Sequence, residues 1–390
     1  MELEKRNTLI LSVAQGLSIT TTSINMINTG LVGAMLATNP SYSTIPLSLQ
    51  FLTIALTLIP VSLLMGKFGR RSMFLLGSLA AFIGCLIIAF SIIDKSFYLF
   101  ILGSILLGFS QANQQFYRYA AADNVSNNLK SKAISLVLAG GVIAAVVGPE
   151  VSRYSFDLFP DYIYLATYLL AASIQIINFT ILIFIKIKKP EVTAKKIRPL
   201  KDILMQKTLI IAILAAAVGY SLMSFIMTAT PLQIVNICKL GNSASSTVIQ
   251  WHIIAMFAPS FFTGSIISRF GNRKVMLVGI ILYAFSVFFG ILGDTVLNFW
   301  IALFLCGLGW NFLYVGGSDI IAKSALPEER AKVQGVTDFI IFVFVAMGSF
   351  LAGYLHSNLG WEVMLFYTII PISVIFISII IIKPQNLKLN

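Results

Sequence analysis

"VSLLMGKFGRRSMFLLGSLAAF" (residues 61–82) and "FFTGSIISRFGNRKVMLVGIILYAF" (residues 261–285) share one pattern: an apolar run halts at a glycine flanked by cations, then resumes. Lys67, Phe68, Gly69, Arg71 and Gly77 answer to Arg269, Phe270, Gly271, Arg273 and Gly279 at a constant offset of 202 residues. Further along, "LGFSQANQQFYR" (107–118) aligns with "LGWNFLYVGGSD" (308–319) at an offset of 201, pairing Gly108 with Gly309 and Arg118 with Asp319. A direct duplication fits this spacing. In each copy the glycine lets the chain turn tightly between two apolar segments, and the arginines suit an anionic membrane surface.

The rest of the chain is built of the same material. It is 58% hydrophobic and 11% charged over 390 residues, whereas soluble domains carry about 25% charge. Apolar runs long enough to cross a bilayer core of about 30 Å recur roughly at 8–37, 42–65, 72–93, 97–122, 132–155, 162–185, 207–236, 246–267, 275–293, 297–322, 333–355 and 362–382. Stretches such as "IILYAFSVFFGILG" lack the alternating polarity of barrel strands. The expectation is an all-α polytopic membrane protein of twelve transmembrane helices. Two six-helix bundles, 1–185 and 207–390, are joined by a basic, proline-punctuated cytoplasmic linker, 186–206.

Charge placement gives orientation. Of the 27 Lys and Arg, 23 fall in alternate gaps, leaving Lys95 and Lys239 in the opposite loops and Arg118 and Arg153 in or near spans. The positive-inside rule then predicts both termini in the cytoplasm, so the formal charge of +12 reads as topology and membrane-lipid contact, with no nucleic-acid partner. "MELEKR" leads into a long span without a small-residue cleavage pattern, so the first helix is expected to stay. Cys85, Cys238 and Cys306 form no close-spaced pair, and the two histidines are isolated; no metal site and no cofactor are expected. No Gly-x-x-x-x-Gly-Lys-Ser/Thr loop speaks for ATP.

The two cationic turns resemble motif A of the major facilitator superfamily, Gly-x-x-x-Asp-Arg-x-Gly-Arg-Arg/Lys. Lys67, Gly69, Arg70 and Arg71 match in the first half; Gly264, Arg269, Gly271, Arg273 and Lys274 match in the second. "TPLQIVN", "VIQWHIIAMFAPSFFTG" and "ERAKVQGVTDF" are similar to a bacterial subgroup. The resemblance implies gating roles for Gly69, Arg70, Arg71, Arg269, Gly271 and Arg273. Here the motif's acid is replaced by Gly66 and Ser268, and its leading glycine by Ser62. Asp338, one to two turns into span eleven, is expected to replace that acid by pairing with Arg70 or Arg71. "AGGVIAAVVGPE" (139–150) partly resembles the family's antiporter motif C through Gly140, Gly141, Gly148 and Pro149, alongside a plain packing reading.

Polar residues inside apolar spans are the site candidates, because hydrocarbon leaves them no partners. Gln15, Ser18, Thr22 and Asn25 recur at helical spacing on one face of span one, and either line a cavity or bond to neighbouring helices. Span four supplies Gln111, Gln114, Gln115 and Arg118. Arg118 lies about 31 Å along that helix at 1.5 Å per residue, suited to an anionic group on the solute or to pairing with Asp319. The resemblance implies that spans one, four, seven and ten line a central cavity, which adds Tyr220, Ser224, Asn311 and Tyr314. Asp319, Glu150 and Arg118 are the candidates for proton coupling, since motion of an arginine can switch a carboxylate's protonation; Glu150 with Arg153 at i+3 also reads as a rim network. His252 is expected to hydrogen-bond a neighbouring span.

The expected function is secondary active transport: a monomer in the bacterial inner membrane moving a small organic solute by alternating access, coupled to protons, with efflux favoured over uptake. Two alternatives stand beside it, a non-transporting receptor or scaffold and a membrane-embedded enzyme. The enzyme needs a nucleophile, base and acid, or metal ligands, gathered at one depth, and the sequence displays no such set.

Overall fold

The computed structural model describes residues 2–123, 125–126, 130–187, 199–326 and 329–381. The middle of the expected linker, 188–198, and the tail carrying Lys383 and Lys388 lie outside the described residues. Among the described residues twelve helical spans follow one another: α1 (Glu2–Leu36), α2 (Ile45–Phe68), α3 (Arg70–Ile93), α4 (Phe97–Gln114, continued by Tyr117–Asp123), α5 (Lys130–Ser155), α6 (Leu165–Ile183), α7 (Lys207–Pro231, ending in a π-turn Leu232–Ile237), α8 (Asn242–Phe257 and Ser260–Phe270), α9 (Asn272–Leu292), α10 (Val296–Ser324), α11 (Arg330–Leu359) and α12 (Trp361–Tyr367 and Ile369–Ile381). Nine of these described helices are long and apolar enough by themselves to cross a membrane, and α8 makes a tenth if its two segments, bent by 44°, count as one span. The α8 bend sits at Pro259, where proline removes a backbone donor and crowds the preceding turn. In α4 the break at Gln115–Phe116 sends the Phe116 N–H to the Asn113 carbonyl, three residues back (3.1 Å).

The duplication is visible in backbone geometry. Gly69 ends α2 and starts α3 at φ 86°, ψ 153°; Gly271 ends α8 and starts α9 at φ 81°, ψ 152°. That region is essentially closed to any residue with a Cβ, which is why each repeat carries glycine there. Two residues later, Arg71 donates to the Ile183 carbonyl at the end of α6 (2.7 Å). Arg273 likewise donates to the Ile379 and Ile380 carbonyls at the end of α12 (3.1 and 2.8 Å). Cations there satisfy orphan carbonyls and oppose the negative end of the helix dipole. Ser96 and Thr295 cap α4 and α10 by accepting from the N–H three residues on.

The helices gather as two six-helix bundles, α1–α6 and α7–α12. Within the first, α1 packs on α5 and α6, and α3 on α4 and α6; within the second, α7 packs on α10 and α11, and α9 on α10. Small residues permit these approaches: a Cβ on Gly140 of α5 would stand 2.2 Å from the Ser12 carbonyl of α1, and one on Gly148 would stand 2.7 Å from Ser23. Helix contact therefore accounts for the motif C-like glycines. The bundles meet along α2 with α11, α5 with α8, and α1 with α7. Outward faces are as apolar as the core, with Leu63, Phe90, Phe285 and Ile370 exposed, the inversion a lipid solvent calls for.

Candidate functional site

The first bundle has a polar interior. Tyr168 donates to Asn25 (3.0 Å), Asn25 to Gln50 (2.6 Å), Gln50 to Gln111 (2.9 Å) and Gln111 to Thr22 (2.8 Å), a chain that runs through α6, α1, α2 and α4. Beside it Asn178 donates to Ser18 (3.0 Å) and Gln175 to Thr21 (2.7 Å). Each amide in this chain both gives and receives, so burial leaves little unsatisfied. A narrow crevice with room for about one water is lined by Ser18, Thr22, Gln111, Gln114 and Gln175 among others. The stripe expected to face a central cavity is therefore largely turned inward: Ser18, Thr22, Asn25 and Gln111 bond to helices of their own half. Asn25 is only 1% exposed. Gln15 keeps a buried Oε1 without a partner, and Gln115 sits half-buried at the α4 break.

The second bundle answers with aromatic rings. Trp310 and Tyr314, one turn apart on α10, are stacked at 4.9 Å and 10°. Tyr220 of α7 meets both edge-on at 5.3 and 5.4 Å. Phe257 of α8 closes on Trp310 at 5.9 Å, and Phe342 of α11 on Tyr220 at 5.7 Å. Trp310 is 5% exposed, yet its Nε1 donor has no partner. Ser224, also with an unpartnered hydroxyl, lines a second crevice between the bundles with Met26, Phe51, Met223, Met227 and Thr228. Asn311 departs from expectation. It is fully buried and ties the α8 bend to α10, accepting from Thr263 (2.6 Å) and donating to the Met256 carbonyl and Ser260 (2.7 Å each). A bent helix frees backbone groups, and the amide satisfies one of them.

The charges are arranged otherwise than expected. Asp319 does not meet Arg118: it accepts from Lys323 one turn on (2.5 Å) and from Asn272 at the repeated turn (2.9 Å). Asp338 does not meet Arg70 or Arg71. Arg70 pairs with Asp123 at the end of α4 (2.6 Å), while Arg71 is used on the α6 carbonyl. Asn272 occupies the position equivalent to Arg70, so both repeated turns are fastened to the fourth helix of their own bundle. Arg269 lies over the Phe270 ring at 5.3 Å. Arg118 instead lies across the bundle interface from Asp338. It donates to Tyr119 (3.1 Å), stands 4.9 Å over that ring, and lies within electrostatic reach of Asp338 and Tyr314. Its buried Nε has no hydrogen-bond partner.

Among the described residues, hydrogen bonds between the bundles gather at the end opposite Glu2 and Ile381. Arg153 grips Glu150 (3.0 Å) on α5 and reaches Thr247 (2.8 Å) and Gln250 (3.4 Å) on α8. Tyr164 donates to Asn242 (2.8 Å), and Asn358 to Ser41 (2.9 Å). Glu150 is thus a member of a rim clasp. His252 donates from Nδ1 to the Leu303 carbonyl (2.7 Å), the neighbouring-span bond expected of it.

Sequence reading overlooked Gln50, Gln175 and Asn178, although an amide inside an apolar run is the signal that picked out Gln111. Trp310, Phe257, Phe342 and Tyr119 had no such signal, because a chain with 30 Phe and 13 Tyr offers rings everywhere.

The Major Facilitator Superfamily model matches residues 11–236 and 234–388. The chain is 37% identical over 389 residues to the riboflavin transporter RfnT of Brucella anthropi, covering 98% of this chain and 97% of that one. It is 27% identical to the MFS-type transporter YddS of Bacillus subtilis over 90% of this chain and 84% of that one. Among solved structures, a point mutant of the nucleoside transporter NupG superposes with a TM-score of 0.71 at 14% identity, over 96% of this chain and 99% of that chain. The human organic anion transporter MFSD10 superposes with a TM-score of 0.68 at 13% identity, over 96% and 99%.

Proposed function

The chain belongs to the major facilitator superfamily, a multi-pass membrane transporter rather than an enzyme, and on that premise we propose that it carries riboflavin or a closely similar ring system. The observation that carries the reading is the pairing of walls at the centre. A stacked Trp310–Tyr314 pair with Tyr220 set edge-on offers the apolar faces that a flat heteroaromatic ring needs, each such contact being worth about 0.5–1.5 kcal/mol. Arg118, Gln114 and Gln15 offer donors and acceptors for ring carbonyls and a hydroxylated chain. Riboflavin combines those two chemistries, and it is named in the relative that aligns over nearly the whole length.

The two bundles, 1–185 and 207–390 about the linker 186–206, rock against each other about this centre. The clasp of Arg153, Glu150, Thr247 and Gln250 holds the far end shut while the solute enters or leaves at the end carrying the termini. Both termini are cytoplasmic and the protein works as a monomer in the bacterial inner membrane, with the motif A-like turns, Gly69 and Gly271 among them, at the lipid surface. Proton coupling is assigned to Asp338 facing Arg118, because Asp319 and Glu150 are engaged by Lys323 and Arg153. The α5 glycines are accounted for by contact with α1, so the proposal names cargo and coupling but no direction.

The test is purified protein in proteoliposomes, followed by flux of radiolabelled riboflavin with and without an imposed pH gradient. Saturable flux that rises with the gradient supports the reading. Absence of flux together with absence of riboflavin binding overturns it, and flux indifferent to the gradient removes the proton.

A further inference from the structure

Arg118 and Asp338 come from opposite bundles and lie within electrostatic reach of each other, close to the aromatic wall. Arg118 and Tyr119 come from the continuation of α4; Asp338 and Gln334, one turn apart, come from α11. Tyr119 accepts from Arg118 (3.1 Å) and lies near Gln334 of α11. Asp338 stands within electrostatic reach of Arg118, Tyr119, Tyr220 and Tyr314, and Arg118 of Tyr314. Tyr314 is the ring stacked on Trp310. No direct ion pair joins Arg118 to Asp338 among the described residues, and the Arg118 Nε is a buried donor without a partner. A buried donor left unused within electrostatic reach of a carboxylate needs explanation, since leaving such a group unsatisfied costs free energy.

The pairing itself says what fits. Arginine alone would favour an anionic solute, but a carboxylate beside it repels an anion and asks for a donor. A neutral unit that presents an acceptor next to a donor answers both, and in a flat heteroaromatic ring that unit is the carbonyl and N–H of a cyclic imide. We propose that Arg118 and Asp338 together read the imide edge of the solute's ring, Arg118 donating to a ring carbonyl and Asp338 accepting from the adjacent imide N–H, while Trp310 and Tyr314 hold its face. Tyr119 and Gln334 act as positioning residues that hold the two charges facing each other. The inference rests on the flavin-like cargo proposed above and adds the atoms that select it.

The experiment compares riboflavin with N3-methylriboflavin, which lacks the imide hydrogen, by quenching of flavin fluorescence on the full-length protein in detergent. The unaltered protein is expected to bind the methylated compound about 10- to 100-fold more weakly, the scale of one hydrogen bond to a charged group. In Asp338→Ala that penalty is expected to shrink to within about threefold. Asp338→Asn preserves shape and one acceptor oxygen while removing the charge, and is expected to reduce the penalty by about threefold or more; it decides the matter if the alanine variant does not fold. Equal affinity for the two compounds in the unaltered protein, or a full penalty retained in the variants, overturns the inference and leaves riboflavin as cargo. No quenching by riboflavin at all overturns the cargo and this inference with it.

Discussion

The two halves of this molecule share their scaffold and differ in their walls. The turn glycines stand within a few degrees of each other in φ and ψ, the arginines two residues later cap the last helix of each bundle, and a glycine brings the fifth helix onto the first in both. The interiors diverge: α1 carries Ser18, Thr22 and Asn25 where α7, 202 residues on, carries Tyr220, Ser224 and Met227. Backbone geometry at a tight turn or a close crossing admits few residues, so duplication leaves it intact. A lining side chain answers only to its neighbours and to the solute, so it is free to change.

The largest effects should fall on the shared scaffold, and fall equally. A side chain on Gly148 would meet Ser23 at 2.7 Å and the Thr20 carbonyl at 3.2 Å, and one on Gly348 of α11 would meet Ser221 at 2.6–2.7 Å on α7. Gly148→Leu and Gly348→Leu are both expected to leave no monodisperse protein on size exclusion; one tolerated and the other lethal would break the equivalence.

Next in size is the difference between the walls. Trp310→Ala should weaken riboflavin binding about 100-fold, as removal of a central aromatic anchor does, measured by flavin quenching. Gln111→Ala, on the other wall, should weaken binding far less and act on stability instead. It strips Gln50 of its acceptor and Thr22 of its donor, costing about 1–3 kcal/mol, to be read as a lower Tm. A large affinity loss with unchanged Tm would show that the amide wall touches the solute directly.

The smallest effects are the caps. Arg71→Ala and Arg273→Ala each remove a cation from exposed helix carbonyls and should cost under about 1 kcal/mol apiece, seen as matched small drops in Tm. A change in transport rate without a change in Tm would sharpen the comparison differently, by giving these arginines the gating role their motif implies.

Much of the fold was legible because its causes are local. Apolar runs of bilayer length, cations in alternate gaps and a glycine at each repeated turn can each be read from a few adjacent residues. The site was legible only in part. Polarity in a span marked Gln111 and Arg118 as unusual, but not which way they point. Asn25 and Gln111 are interior because Gln50 and Tyr168, far off in the chain, happen to complement them. Asp319 matched Arg118 by repeat alignment, yet Lys323 one turn away and Asn272 across the turn hold it more closely than anything in the other bundle.

The sequence by itself determined that this chain spans a membrane many times, that it is a repeated unit, and where each half turns, since hydrophobic length and glycine backbone freedom are properties of short segments. Only the tertiary structure decided that one bundle is lined with amides and the other with rings, and that Arg118 faces Asp338. Those facts depend on which helix faces meet, and contact between faces is set by the packing of all twelve helices together, between residues far apart along the chain.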